Sequence, residues 1–299
     1  DETGKWTIMP DKMEAEGDRG SSSSSRISPS GQQAASTSLS DEFKAITSAT
    51  TAKIVGGKPK NFAISGGYII KHVSEKEFHF YSENRANLDK LPGFAPKVYA
   101  MENSPKGHFM KMEDLKNGMS KPFEIDIKLG KSFENAFYLE NIKGIKPEEV
   151  EQKVKDRAKK NDRTGASLNS FSVASYTGRL ELTVKKDKHL SAEQAKDLLS
   201  ARLHSPLTQD VFAQSIAELI NDYPKIFDEN KSVTGASLLL VLDEAEPEKI
   251  KLRMIDFGNY WKPETSNPAK ERQAISQSNS ENMAGLTALQ KLFGSGAPS

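Results

Sequence analysis

Pro122-Phe123-Glu124-Ile125-Asp126-Ile127-Lys128-Leu129-Gly130 alternates apolar and polar side chains between a proline and a glycine. That period of two predicts a strand over residues 124–129 and places Asp126 and Lys128 on one face. A carboxylate and an ammonium so placed can aim into a shared cleft, and they can equally form a surface ion pair. The flanking segments weigh between the two.

Upstream, residues 62–64 and 68–73 are apolar runs separated by Ser65-Gly66-Gly67, the pattern of a β-hairpin. Lys71 follows the run Tyr68-Ile69-Ile70, and Glu77 lies in an expected helix over 75–89 that carries Phe78, Tyr81 and Leu88. Strands are expected over 94–101 and 108–112, leading to Met112-Glu113-Asp114-Leu115. Downstream come a basic helix over 147–162, an alternating stretch over 172–184, and helices over 191–203 and 208–220. Runs 237–242 and 250–257, joined by an acidic turn, form a second hairpin that ends beside Asp256, and a last helix is expected over 281–293. The fold class expected is α+β.

A chain of 299 residues is long enough to enclose a site within a proper core. Lysine and arginine number 42 against 41 aspartates and glutamates, so no global field draws it to nucleic acid. With no cysteine, thiolate metal sites, disulfide scaffolds and cysteine nucleophiles are excluded. No run approaches the roughly 18 apolar residues of a membrane span. The expectation is a soluble protein, cytoplasmic or delivered into a host cytoplasm, with any protein partner unknown. Residues 1–40, with the run Ser21 to Ser25, offer little apolar surface against the entropy of ordering and read as a disordered tail.

Phosphoryl transfer from ATP needs a cation on the phosphates, carboxylates for Mg²⁺ and ribose, and an oriented acceptor. Lys71 with Glu77, Asp126 with Lys128, and Asp256 in Met254-Ile255-Asp256-Phe257-Gly258 supply these parts in order. No His-Arg-Asp precedes Asp256, which counts against a protein kinase.

The pattern P-x-x-x-D-x-K-x-G at Pro122, Asp126, Lys128 and Gly130 resembles the signature of the inositol polyphosphate kinases. Similar to that family too are the hinge Glu113-Asp114-Leu115, Ser237-Leu238-Leu239 ahead of Ile255-Asp256-Phe257, Phe94-Ala95-Pro96, and Gly285-Leu286 with Leu289. The resemblance implies a two-lobed kinase-like fold, with residues 41–115 as a small β-rich lobe and 116–299 as a larger α+β lobe. It implies ATP and Mg²⁺ as cofactors and an inositol phosphate as the small-molecule substrate. By the same resemblance Lys71 meets the ATP phosphates, the backbone of Glu113 and Leu115 the adenine, and Asp126 the ribose. Asp256 and Ser237 hold Mg²⁺, and Lys128 acts catalytically on substrate and transferring phosphate. Lys131, Lys143, Lys146, Lys153 and Lys160 are candidates for the acceptor's phosphates, although interleaved acids also allow a solvated charged helix. The family's Gly-Phe-Arg-Ile becomes Ser170-Phe171-Ser172-Val173, which removes one expected cation. A divergent kinase acting on protein, and a non-catalytic module binding nucleotide or inositol phosphate, are the alternatives.

Overall fold

A computed structural model describes residues 37–49, 61–130, 136, 138–164, 166–176, 190–263 and 268–293. The Ser-rich segment through residue 36, Lys131 and residues 177–184 lie outside them.

Gly66 and Gly67 take positive φ, 55° and 85°, and so close a tight hairpin between β1 (Phe62–Ser65) and β2 (Tyr68–Val73). Strands β3 (Val98–Ser104) and β4 (Gly107–Glu113) complete an antiparallel sheet of order β1-β2-β4-β3. Helix α1 (Leu39–Ala49) packs Leu39, Phe43 and Ile46 against Ala63, Ile70 and Phe109 of this sheet. Helix α2 (Glu75–Leu88) is started by Ser74, whose hydroxyl accepts the Glu77 N–H.

In the second lobe β5 (Pro122–Leu129) is flanked by β6 (Phe171–Tyr176) and β8 (Ser237–Asp243), with β9 (Ile250–Ile255) beyond. All three pairings are antiparallel, and every inward side chain of β5 from Phe123 to Leu129 at odd positions is buried. Strands β7 (Ser232–Val233) and β10 (Tyr260–Trp261) form a separate two-stranded ribbon. Helices α3 (Pro147–Thr164), α4 (Ala166–Asn169), α5 (Ala192–Arg202), α6 (Pro206–Ile226) and α7 (Pro268–Phe293) surround the sheet.

Among the boundaries that differ from the sequence expectation, three have a clear physical reason. Strand β3 starts at Val98 rather than 94, because Phe94 and Ala95 are buried and the Phe94 carbonyl accepts the Met254 N–H of β9 at 2.8 Å. Helix α6 continues past residue 220 to Ile226, since Tyr223 and Ile226 prolong its buried face. Helix α7 begins at Pro268, not 281, because its first half buries Ala274 and Ile275 against Tyr138 and Trp261 and adds polar anchors to them. There Ser278 Oγ and Asn282 Nδ2 donate to the Val233 carbonyl at 3.1 and 2.7 Å, and Asn279 Nδ2 donates to the Asp228 carbonyl at 2.9 Å. These bonds satisfy carbonyls of the short β7 strand and of the loop before it.

One buried cluster runs through both lobes, from Val73, Phe80 and Met110 to Ile125, Leu240 and Leu286. Two contacts in it bear on the site. The Phe257 ring stacks on Phe80 of α2 with centroids 3.8 Å apart, and Tyr81 meets it edge-on. At the end of β5, Gly130 (φ 66°) donates its N–H to the Ser170 carbonyl at 2.7 Å, and Gly285 of α7 is seated against this junction.

Candidate active site

Strand β5 delivers Asp126 and Lys128 to the boundary between two cavities. The inner cavity, about 190 Å³, lies between the lobes and is lined by Ile64, Ile69, Lys71, Met112, Leu115, Asp126, Leu239 and Ile255 among others. The outer cavity, about 690 Å³, is lined by Lys128, Lys160, Ser172, Asn259 and small residues including Gly130, Ala166, Gly235 and Gly258. Glu77 and Asp256 line both.

Lys71 on β2 reaches Glu77 of α2 at 2.5 Å, and both side chains are largely buried. Because Ser74 caps α2 and Phe80 grips Phe257, the helix that holds Glu77 is fixed to the turn that holds Asp256. Asp256 itself takes a left-handed conformation, φ 68° and ψ 49°, at the end of β9. Asp is among the few residues that adopt it at modest cost. The Lys128 ammonium donates to Asp256 and to Ser237, the Ser237 hydroxyl donates to Asp256 at 3.2 Å, and Asp126 Oδ1 lies 3.9 Å from the same ammonium.

Charge states follow from these contacts. Burial works to raise the Asp256 pKa, but the charges of Lys128 and Lys71 and the hydrogen bonds outweigh it, holding the carboxyl below the usual carboxylate range. Lys128 loses by desolvation and gains more from Asp256 and Asp126, so its ammonium is held above its ordinary value. Asp126 is the contrary case: it is 4% exposed, burial raises its pKa, and Oδ1 is buried with no hydrogen-bond partner.

At the inner cavity's edge the Asp114 N–H is taken by the Gly67 carbonyl and the Lys116 N–H by the Asp114 carboxylate. Between them the Leu115 N–H makes no hydrogen bond among the described residues. The Glu113 N–H is held by the Lys97 carbonyl.

On the outer cavity, desolvation and then the charges of Lys128, Arg157 and Arg163 push the Lys160 ammonium below its ordinary value. Lys143 donates to Asn259, a lining residue, and is likewise pushed down by desolvation and by Lys76 and Arg157. A bound anion beside either ammonium would offset both the desolvation and the neighbouring positive charge. Lys146 and Lys153 are exposed and stand outside the lining. Ser172 pairs with Lys128 across β5 and β6 and lines the cavity, so the expected arginine's position is indeed on its wall.

Sequence reasoning passed over Glu124 and Lys116, an ion pair at 3.3 Å that lines the inner cavity. The signal available was alternation: Glu124, Asp126 and Lys128 share one face of β5.

Two lobes with a polar-edged cavity at their junction, a lysine–glutamate pair above and an aspartate below, make this chain a kinase-type phosphotransferase. It belongs to the inositol polyphosphate kinase family, whose sequence profile, "Inositol polyphosphate kinase", matches residues 109–294, more than half of the chain. Among solved structures it is similar to inositol phosphate multikinase Ipk2 from S. cerevisiae, in complex with ADP and Mn²⁺, at 16% identity and a TM-score of 0.51. That alignment covers 76% of this chain and 98% of the other. A second inositol phosphate multikinase structure aligns at 15% identity and a TM-score of 0.47, over 73% of this chain and 96% of its own. No curated protein matches by sequence. At 16% identity the Ipk2 match speaks for the fold alone, and the profile match carries the family.

Proposed function

We propose that this protein transfers the γ-phosphate of ATP to a hydroxyl or phosphate group of an inositol phosphate, with the inner cavity taking the nucleotide and the outer cavity the acceptor. One observation carries this reading: Asp256 lines both cavities, with Lys128 bonded to it on the acceptor side.

The residues suit the two ligands. Apolar side chains from both lobes can sandwich an adenine, and the unpaired Leu115 N–H with the Glu113 carbonyl can meet its edge. Asp126 Oδ1, buried without a partner, suits a ribose hydroxyl donor. Lys71, steadied by Glu77, would bind the phosphates. Among the described residues no three His, Asp or Glu side chains gather into a metal cage. That fits Mg²⁺, which takes one or two carboxylates and completes its shell with water and phosphate oxygens. Asp256, oriented by the buried Ser237 hydroxyl, would hold it, and when bound it neutralises charge on the transferring group.

Lys128 carries the electrostatic work. Its ammonium, set at the cavity boundary, would leave Asp256 for the equatorial oxygens of the γ-phosphate as charge develops there. Lys160 and Lys143 would hold the acceptor's phosphates. Among the described residues no helix is long and apolar enough to cross a membrane. We place the activity in an ATP-containing aqueous compartment, the cytoplasm of its own or a host cell.

The test incubates the protein with labelled ATP, Mg²⁺ and a panel of inositol phosphates beside Asp256→Asn and Lys128→Ala variants. Label should enter at least one inositol phosphate and be lost in both variants. Label on protein alone, or ligand binding without turnover, would overturn the proposal.

A further inference from the structure

Glu124 and Lys116 have no part in the scheme above, yet both line the inner cavity. Glu124 is 6% exposed, and its carboxylate is 3.3 Å from the Lys116 ammonium. A carboxylate so buried on a cavity wall is costly unless it meets donors.

Strand β5 acts as a ruler. Glu124, Asp126 and Lys128 stand on one face at intervals of about 7 Å. Lys128 marks the phosphate end, since it touches Asp256 and the outer cavity. Lys116 follows the hinge directly, so Glu124 marks the nucleoside end. Between those ends Asp126 presents an oxygen with no hydrogen-bond partner.

The nucleoside can supply donors of two kinds. The adenine amino group faces the hinge backbone, whereas the ribose diol offers two O–H donors to whatever lies beyond. Phosphates are excluded from this end because two carboxylates would repel them. An ionised carboxylate has about four acceptor positions, so pairing with Lys116 leaves Glu124 able to accept again.

We infer that Glu124 is a second ribose-binding residue: Asp126 and Glu124 each accept from one hydroxyl of the nucleotide's 2′,3′-diol, with Lys116 holding the Glu124 carboxylate in place. This rests on the proposal that the inner cavity takes ATP.

The experiment titrates the full chain calorimetrically with ATP, 2′-deoxy-ATP and 3′-deoxy-ATP in Mg²⁺, without acceptor. Wild type, Glu124→Ala, Glu124→Gln and Asp126→Ala are compared. Wild type should bind each deoxynucleotide on the order of tenfold more weakly than ATP, the usual worth of a hydrogen bond to a charged group. Glu124→Ala should lose the discrimination against one deoxynucleotide and keep it against the other, and Asp126→Ala should show the reverse. Should Glu124→Ala fail to fold, the near-isosteric Glu124→Gln should still narrow the same single ratio. If the Glu124 variants weaken all three nucleotides equally, or none, the pair is structural and the inference is overturned. Absence of ATP binding by wild type would instead overturn the nucleotide assignment of the cavity, and this inference with it.

Discussion

Replacing Gly285 with alanine sets two effects of opposite sign against each other. Gly285 lies inside α7, where helix propensity alone makes Gly→Ala stabilising by about 1 kcal/mol. The added methyl, however, would stand 2.6 Å from the Ser170 carbonyl oxygen, 2.8 Å from the Gly130 nitrogen and 3.2 Å from the Leu129 Cα. All three are backbone atoms, so no rotamer change relieves them. Restoring an ordinary contact near 3.4 Å requires α7 to withdraw by about 0.8 Å from the end of β5, and overpacking of this kind costs about 1–3 kcal/mol. The neighbouring Gly130 cannot yield, because its own Cβ position is occupied by Glu281 backbone at 2.9 Å. The net expectation is a loss of up to about 2 kcal/mol, read as a midpoint lowered by up to roughly 8 °C in thermal unfolding. A second readout follows from position: Lys128 is two residues from Gly130, so kinase turnover should fall further than the unfolded fraction explains. A midpoint raised, as helix propensity alone would have it, would refute the close-packing account of this glycine.

Phe257→Ala removes the ring stacked on Phe80 and should cost about 3–5 kcal/mol in denaturant unfolding, while raising the Mg²⁺ concentration needed for turnover, because Asp256 loses its anchor. Ser172→Arg restores a cation beside Lys128 and should tighten binding of the more highly phosphorylated acceptors by about tenfold in an inositol phosphate panel, leaving ATP affinity unchanged. Asp243 accepts the N–H groups of Ser120, Lys121 and Ala245 at 2.6, 2.9 and 2.9 Å; burial opposes its ionisation, but these bonds and Lys249 win, so its folded pKa lies below the ordinary 3.8. A depressed carboxyl stabilises above its unfolded pKa and ceases to as pH falls through the folded one. The difference in midpoint between wild type and Asp243→Asn should therefore be constant above about pH 5 and shrink below pH 4.

Much of the site could be read in the linear chain. Period-two alternation gave β5 and its shared face, the double glycine gave the first hairpin, and Lys71, Asp126, Lys128 and Asp256 came in the order that a two-lobed kinase needs. These are local signals, carried by spacing within a few residues. What escaped was set by distant partners. The first half of α7 escaped because its apolar contacts are few, Ala274 and Ile275 against Tyr138 and Trp261, and the rest of its hold comes from Ser278 and Asn279 donating to distant backbone carbonyls. Glu124 was passed over because its meaning depends on Lys116 and on a cavity whose opposite wall belongs to the other lobe.

The sequence by itself determined the strand face, the charge inventory and the absence of thiol chemistry, since these depend on residue type and period alone. Only the tertiary structure decided that Asp126 and Lys128, neighbours on one face, serve different cavities. It also decided that Lys160, not Lys146 or Lys153, lines the outer one, with Lys143 bonded to its wall residue Asn259. The physical reason is that which face of a strand or helix meets a cleft is fixed by packing between segments far apart in the chain. Here that packing is the Phe80–Phe257 stack and the glycine junction of α7 with β5.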